Sequence, residues 1–340
     1  MGAVDVTINP HVLVVGFGSA GRRHAQNLAR RGARISVVDT RTDRLRPPEE
    51  MKLLGAYPTV DDALAAARFD ATVIATPTAF HLQQAEQLIE AKCRVMLEKP
   101  VALDLSQGQR LAAVEARYGQ AVLLGYTWRW WPALRELRAR LKSGAIGRVM
   151  RAEFVMASHL EDWHPWEPIS DFFMSRAELG GGALLDESHW IDQMLWLLGE
   201  PQAISAHVEH TSALPIDCDD NVELLAFYAD GSRARVHLDL YTRPTERSIA
   251  IYGDGGALRW NFEANVIGQY NSRVQQWRET PFAGERNDMF DALAAEFLEV
   301  VCERVAPSCT IADGISVLRI VDAARASQRA QGHIVHLASS

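Results

Sequence analysis

A chain of 340 residues is too long for one comfortable core, so two domains are the starting expectation. Its net charge of −8 argues against a general nucleic-acid binder and against a partner of anionic membranes. Its four cysteines (Cys93, Cys218, Cys302 and Cys309) are scattered without a C-x-x-C pair, which points to reduced thiols and a cytoplasmic setting. The early apolar run Val12–Gly16 is too short for a membrane span or a signal segment.

His11–Val15 reads as a buried strand from its continuous apolar and β-branched content. It runs directly into Gly16-Phe17-Gly18-Ser19-Ala20-Gly21 and then a helical stretch that ends near Gly32. This is G-x-G-x-x-G between a strand and a helix. There the glycines permit a tight turn and let peptide N–H groups meet a pyrophosphate at the helix start. A second strand follows, Arg34–Val38, and ends at Asp39. That acid lies where a carboxylate binds the adenosine ribose hydroxyls. Asp39 would repel a 2′-phosphate, so NAD is expected; Arg41, two residues on, leaves NADP open. A structural glycine turn is the plain alternative to nucleotide binding.

The strand–helix alternation continues. Thr59 and Asp62 mark a helix start. Ala71–Ala75 is a strand, and Thr76-Pro77-Thr78 follows on the ligand side of the sheet. His81, at the next helix start, is either a cofactor contact or a packing residue. Arg94–Leu97 is another buried strand, ending in Glu98-Lys99-Pro100. Proline cannot donate to a ladder, so the strand stops there. Of 35 Lys+Arg only four are lysines: Lys52, Lys92, Lys99 and Lys142. An amine kept at the end of a buried strand is a candidate for chemistry, and a surface ion pair is the ordinary reading. A helix to about Gly119 and a strand over Ala121–Leu124 complete a parallel sheet.

After Gly125 the texture changes. Tyr126 to Pro132 is dense in aromatics and contains Arg129. It is either a packing cluster or a wall facing a ligand. Strand patterns then dominate: Met150 to Met156, Val222 to Tyr228, Ala234 to Leu240, Ile249 with Ile251, and Leu258 with Trp260. Asp230-Gly231 supplies a hairpin turn. These predict an antiparallel meander with one face covered by helices. Helices are expected near Arg286–Arg304 and Gly314–Gln331.

Between the first of these strands and the rest lies the richest segment. It runs from His159 through Trp163, His164 and Trp166, then from the triplet Gly180, Gly181 and Gly182 to Asp186, His189 and Asp192. On one helix the two acids would each neighbour the histidine, with Asp186 near the helix start. His189 is a general base oriented by a carboxylate, a structural cap, or part of a metal site; no metal is assigned, because the helix alone supplies no complete ligand set.

These motifs occur in a familiar order. Gly16 to His24, Thr76-Pro77-Thr78 with His81, Glu98-Lys99-Pro100, Gly125-Tyr126 with Arg129 and Pro132, and Gly180 through Asp192 resemble the glucose–fructose oxidoreductase / inositol dehydrogenase / MocA family. The resemblance covers nearly the whole chain. It implies an α/β protein. An N-terminal Rossmann dinucleotide-binding domain (1–125) precedes a C-terminal α+β domain (126–340) with an open, mainly antiparallel sheet. The last helix is expected to pack back toward the first domain. It implies NAD or NADP as cofactor, held by Gly16, Phe17, Gly18, Ser19, Ala20, Gly21, Asp39, Thr76, Pro77, His81, Glu98 and Lys99. Catalytic roles fall to Lys99, His189 and Asp186, with a cis bond before Pro100. Substrate contacts are expected from Tyr126, Arg129, Trp163, His164, Trp166 and Asp192. One departure stands out: the family's common acid-to-histidine spacing is four, and Asp186 to His189 is three. Asp186 then either serves from a shifted helix start or only caps the helix.

The expected reaction is hydride transfer between a nicotinamide and a ring hydroxyl or ketone of a sugar or cyclitol. A nucleotide-activated sugar is the alternative substrate, with Arg129, Arg176 and Arg243 lining a longer groove. A nicotinamide-binding sensor without catalysis is the alternative class. A homodimer or homotetramer through the C-terminal sheet is expected.

Overall fold

The structure is a computed structural model that describes residues 9–46, 51–163, 165 and 167–337. In chain order its elements begin β1 (His11–Val15), α1 (Ser19–Arg30), β2 (Arg34–Val38), β3 (Leu53–Tyr57), α2 (Val60–Ala66), β4 (Ala71–Ile74), α3 (His81–Glu90), β5 (Arg94–Glu98), α4 (Leu105–Tyr118) and β6 (Leu123–Gly125). They continue with α5 (Pro132–Lys142), β7 (Val149–Ala157), α6 (Ala183–Asp186), α7 (His189–Leu198), β8 (Ala203–Glu209), β9 (Asn221–Phe227) and β10 (Arg233–Asp239). The last are β11 (Glu246–Gly253), β12 (Gly256–Asn261), β13 (Val266–Asn271), β14 (Gln276–Pro281), α8 (Arg286–Val301), α9 (Ile311–Arg329) and β15 (Val335–His336).

The chain divides into two compact units. The first holds a six-stranded parallel sheet in the order β3-β2-β1-β4-β5-β6. Its central strands are buried on both faces, as continuous Val, Ile and Leu runs require when helices cover a parallel sheet. Order reverses between β1 and β4, so the loops after these strands flank the crevice where doubly wound sheets bind ligands. α2 starts as its sequence indicates: Thr59 Oγ1 accepts the Asp62 N–H at 3.1 Å.

This unit takes in residues 286–312, which the division at 126 assigned to the second domain. The reason is α8. Asn27 and Asn287 exchange side-chain amide hydrogen bonds, Arg31 grips Asp291 bidentately at 2.6 and 2.9 Å, and Phe290 meets the His24 ring edge-on. Thus α8 covers α1, while the last helix, α9, belongs to the second unit.

The second unit is built on a nine-stranded sheet in the order β14-β13-β12-β11-β7-β10-β9-β8-β15. Hairpins account for most neighbours, including β9–β10 through Asp230-Gly231. The centre departs from a plain meander: β7 and β10 pair in parallel. Parallel neighbours need a long crossover, and here it carries α6, α7, β8 and β9. One face is apolar, with Phe154, Val236, Leu224, Ile249 and Trp260 among its fully or nearly fully buried residues, and α5, α6 and α7 pack on the sheet. The outer edge of β8 is satisfied by α9: Ala206 N–H donates to Ser327 Oγ and Val208 N–H to Gln328 Oε1. No helix among the described residues is long and apolar enough to cross a membrane.

Candidate active site

The first unit presents the glycine loop. Gly16 has φ +86°, a conformation that a β-carbon disfavours, and a β-carbon there would lie 2.6 Å from the Ala75 carbonyl. Its N–H donates to Val38 O at 2.8 Å, which pins the turn to β2. Gly18 opens α1 with no side-chain cap, and the first turn holds no acidic residue. The space beside Gly18 meets nothing closer than Arg44 at 3.6 Å. An open, uncapped helix start with positive dipole and room for close approach fits the pyrophosphate of a dinucleotide. Ser19 and Ala20 lie in that first turn, and Gly21 packs so tightly on the Gly16 carbonyl that any side chain would overlap it. Asp39 is buried; its Oδ2 accepts the Phe17 N–H at 2.7 Å and its Oδ1 the Arg41 N–H at 2.8 Å. The residue chosen for the ribose thereby also shapes the loop. Arg41 itself pairs with Asp43.

Thr76 and Pro77 follow β4, with Thr76 Oγ1 bonded to Gln84 at 2.7 Å. His81 is buried, with Nδ1 and Nε2 each 2.9 Å from a carbonyl, of Pro100 and Thr76 respectively. Burial keeps its ring below the ordinary pKa against the pull of those carbonyls. His81 is therefore a strut between two loops.

Glu98 ends β5, and its bond to His24 is the connection sequence reasoning missed. Its Oε1 lies 2.6 Å from Nε2 of the fully buried His24, on α1, and its Oε2 accepts the Lys99 N–H at 3.2 Å. Burial alone would lift this carboxyl. The bond and charge of His24, with Lys99, overcome that and hold it below its ordinary value. His24 lies eight residues beyond Gly16, and its histidine inside an otherwise ordinary helix was the available signal. The Lys99–Pro100 bond is cis.

In the second unit the glycine triplet leads into α6. Asp186 closes this one-turn helix, Glu187 and Ser188 intervene, and His189 opens α7. Asp186, His189 and Asp192 thus do not share one regular helix, and Asp186 sits at a helix end, not at the start first expected. The break follows from four residues being a single turn, too short to propagate. Asp186 is buried and His189 half-buried.

Asp192 and Arg129 find each other. Arg129 donates through Nε and Nη2 to the Asp192 carboxylate at 2.6 to 3.1 Å, and Nη2 also reaches Asp313 at 3.0 Å. Burial pushes the Asp192 carboxyl up to about 6 despite Arg129, because one guanidinium serves two carboxylates. Both residues expected to touch substrate are committed to this ion pair. Tyr126 is fully buried and is likewise no exposed wall. The tryptophan stretch is core: Trp128 contacts Trp131, Trp190, Trp260 and Phe262 at 5.2 to 6.1 Å between ring centres. Trp163 is half-buried, its indole N–H on Ser158 Oγ at 3.0 Å. His164 and Trp166 lie outside the described residues.

Residues 11–126 match the family described as an oxidoreductase family with an NAD-binding Rossmann fold, and residues 134–259 match the GFO/IDH/MocA C-terminal domain. The rhizopine catabolism protein MocA of Rhizobium meliloti is 29% identical over 59% of this chain, and the match spans 62% of MocA's own length. An inositol 2-dehydrogenase of Rhizobium meliloti strain 1021 is 28% identical over 72% of this chain and 73% of its own. The levoglucosan dehydrogenase structure in complex with NADH shares the fold, with a TM-score of 0.87 at 19% identity, covering 98% of this chain and all of that one.

Proposed function

Because the chain belongs to the GFO/IDH/MocA family of NAD-binding oxidoreductases, we propose that it transfers hydride between a nicotinamide and a ring hydroxyl or ketone of a sugar or cyclitol. The observation that carries this reading is Glu98, whose one carboxylate joins His24 of the glycine-loop helix to the backbone of Lys99. NAD, when bound, supplies the hydride acceptor. The loop Gly16–Gly21, with the start of α1, holds its pyrophosphate, and Asp39 holds the adenosine ribose.

His189 removes the proton of the reacting hydroxyl, and the Lys99 ammonium hydrogen-bonds the same oxygen and stabilises its developing negative charge. Asp186, three residues before His189 opens its helix, supports the histidine. Trp163 offers an aromatic surface to the apolar side of a pyranose. A free sugar or cyclitol is favoured over a nucleotide-activated one. Arg129 is taken by Asp192 and Asp313, and Arg243 pairs with Asp162 and Glu161, which leaves fewer cations for a diphosphate. A second copy of the chain is the proposed partner of the outer sheet face, where Leu225 and Trp277 are exposed.

Nicotinamide absorbance is the test, with NAD and a panel of cyclitols, aldopyranoses and nucleotide-activated sugars. Reduction with a free cyclitol or sugar supports the reading. Turnover confined to nucleotide sugars replaces the substrate class, and NAD binding with no turnover across the panel favours a sensor.

A further inference from the structure

Residues Asp217–Asp220 lead into β9, and each is bonded to a segment distant in sequence or to the preceding turn. Asp217 donates its N–H to Ser175 O at 3.1 Å, and its carboxylate accepts the Ala177 N–H at 2.6 Å. The Cys218 thiol donates to Met174 O at 3.2 Å. Asp220 donates its N–H to Glu209 O at 2.9 Å, and its carboxylate gathers the N–H groups of Thr211 and Ser212 at 2.7 and 3.0 Å.

Asp219 is the member that reaches α6. Its carbonyl accepts the Ala183 N–H at 2.9 Å, and its carboxylate accepts the Leu184 N–H at 2.7 Å. A helix start leaves its first N–H groups without partners, and Asp219 satisfies two of them. Gly182, with φ +100°, makes the approach possible: a β-carbon there would stand 2.6 Å from the Asp219 Oδ1. Burial lifts the Asp219 carboxyl against the pull of the Leu184 N–H and Arg325. Keeping an acid in such a place costs stability unless its bonds are needed.

We propose that Asp219 is a positioning residue for the hydroxyl-oxidising site: by clasping the first two amides of α6 it fixes the turn that presents Asp186 and His189. It acts through the backbone and touches no substrate. This rests on the reading of His189 as the base.

The experiment compares wild type with Asp219→Ala, Asp219→Asn and Gly182→Ala. Steady-state kinetics use NAD with the best substrate of a panel that includes myo-inositol. Asp219→Ala is expected to lower kcat by about a hundredfold, since small misplacements of a catalytic group carry such losses. NADH affinity, read by fluorescence titration, should stay within about twofold, and Asp219→Asn, which keeps an acceptor oxygen, should restore most of kcat. Gly182→Ala should resemble Asp219→Ala. A kcat for Asp219→Ala within about twofold of wild type overturns the proposal. A wild type that turns over nothing in the panel refutes the base assignment instead. Amide hydrogen exchange then decides on the clasp alone: faster exchange at Leu184 and Asp186 in Asp219→Ala supports it, and unchanged exchange rejects it.

Discussion

Arg129 and Asp192, 63 residues apart in sequence, form a bidentate ion pair in which both side chains are almost completely buried. Removing Arg129 leaves the buried Asp192 carboxylate without its guanidinium, and removing Asp192 takes from the buried Arg129 its closest carboxylate. Arg129→Met or Asp192→Leu should each lower unfolding free energy by about 3 kcal/mol or more. The double variant should lose clearly less than the sum, because neither member of the buried pair is left behind without the other. Urea titrations of the three variants check this; additive losses would mean that the pair is not a unit.

Lys99→Ala and His189→Ala should each lower kcat by about a hundredfold or more, the usual contribution of a positioned proton-transfer or charge-stabilising group. NAD affinity should change little in the His189 variant. Steady-state kinetics with a fluorescence titration of NADH separates the two effects, and normal turnover in either variant removes that residue from the mechanism.

Asp39 has a double duty that sharpens an ordinary prediction. Asp39→Ala should weaken NAD by about tenfold or more, since bonds to a charged group are worth about 1.5–3 kcal/mol. It should also lower the melting temperature of the protein without NAD, because the Phe17 and Arg41 N–H groups lose their acceptor. A variant with weakened NAD and unaltered melting would show that the loop keeps its shape without the carboxylate.

Glu98 gives a pH signature. Its folded-state pKa lies below the ordinary value of 4.5, so folding favours the ionised form. Its stabilisation is therefore complete well above pH 4.5 and disappears as pH falls through the folded value. Thermal melts from neutral pH downward should show a steeper loss for wild type than for Glu98→Gln. Parallel curves would mean that the His24–Glu98 contact does not favour the carboxylate.

The legible parts of this chain are those where local pattern and tertiary role agree. β1, β4 and β5 are continuous apolar runs, and the glycine loop sits between a strand and a helix as its chemistry demands. β3 escapes notice because it is short, contains Gly55 and alternates only between partial and full exposure. β14 carries Gln276, Arg278 and Glu279 on an exposed edge, with no apolar period to read. At the site, Lys99 and His189 stand out by residue type and motif. The role of Arg129 does not, because its partner is far along the chain. The tryptophans near it look the same in sequence whether they face a ligand or each other; the structure packs them on each other.

The amide exchange between Asn27 and Asn287 joins residues 260 positions apart. During synthesis the sheet that carries the glycine loop leaves the ribosome well before the helix that covers α1. The nucleotide-binding unit must therefore wait, with one flank bare, until α8 has been made. A fragment ending near residue 125 would keep every glycine of the loop and still lack that flank. Completion of the nucleotide-binding unit is thus a property of the chain's order and of no single residue in its site.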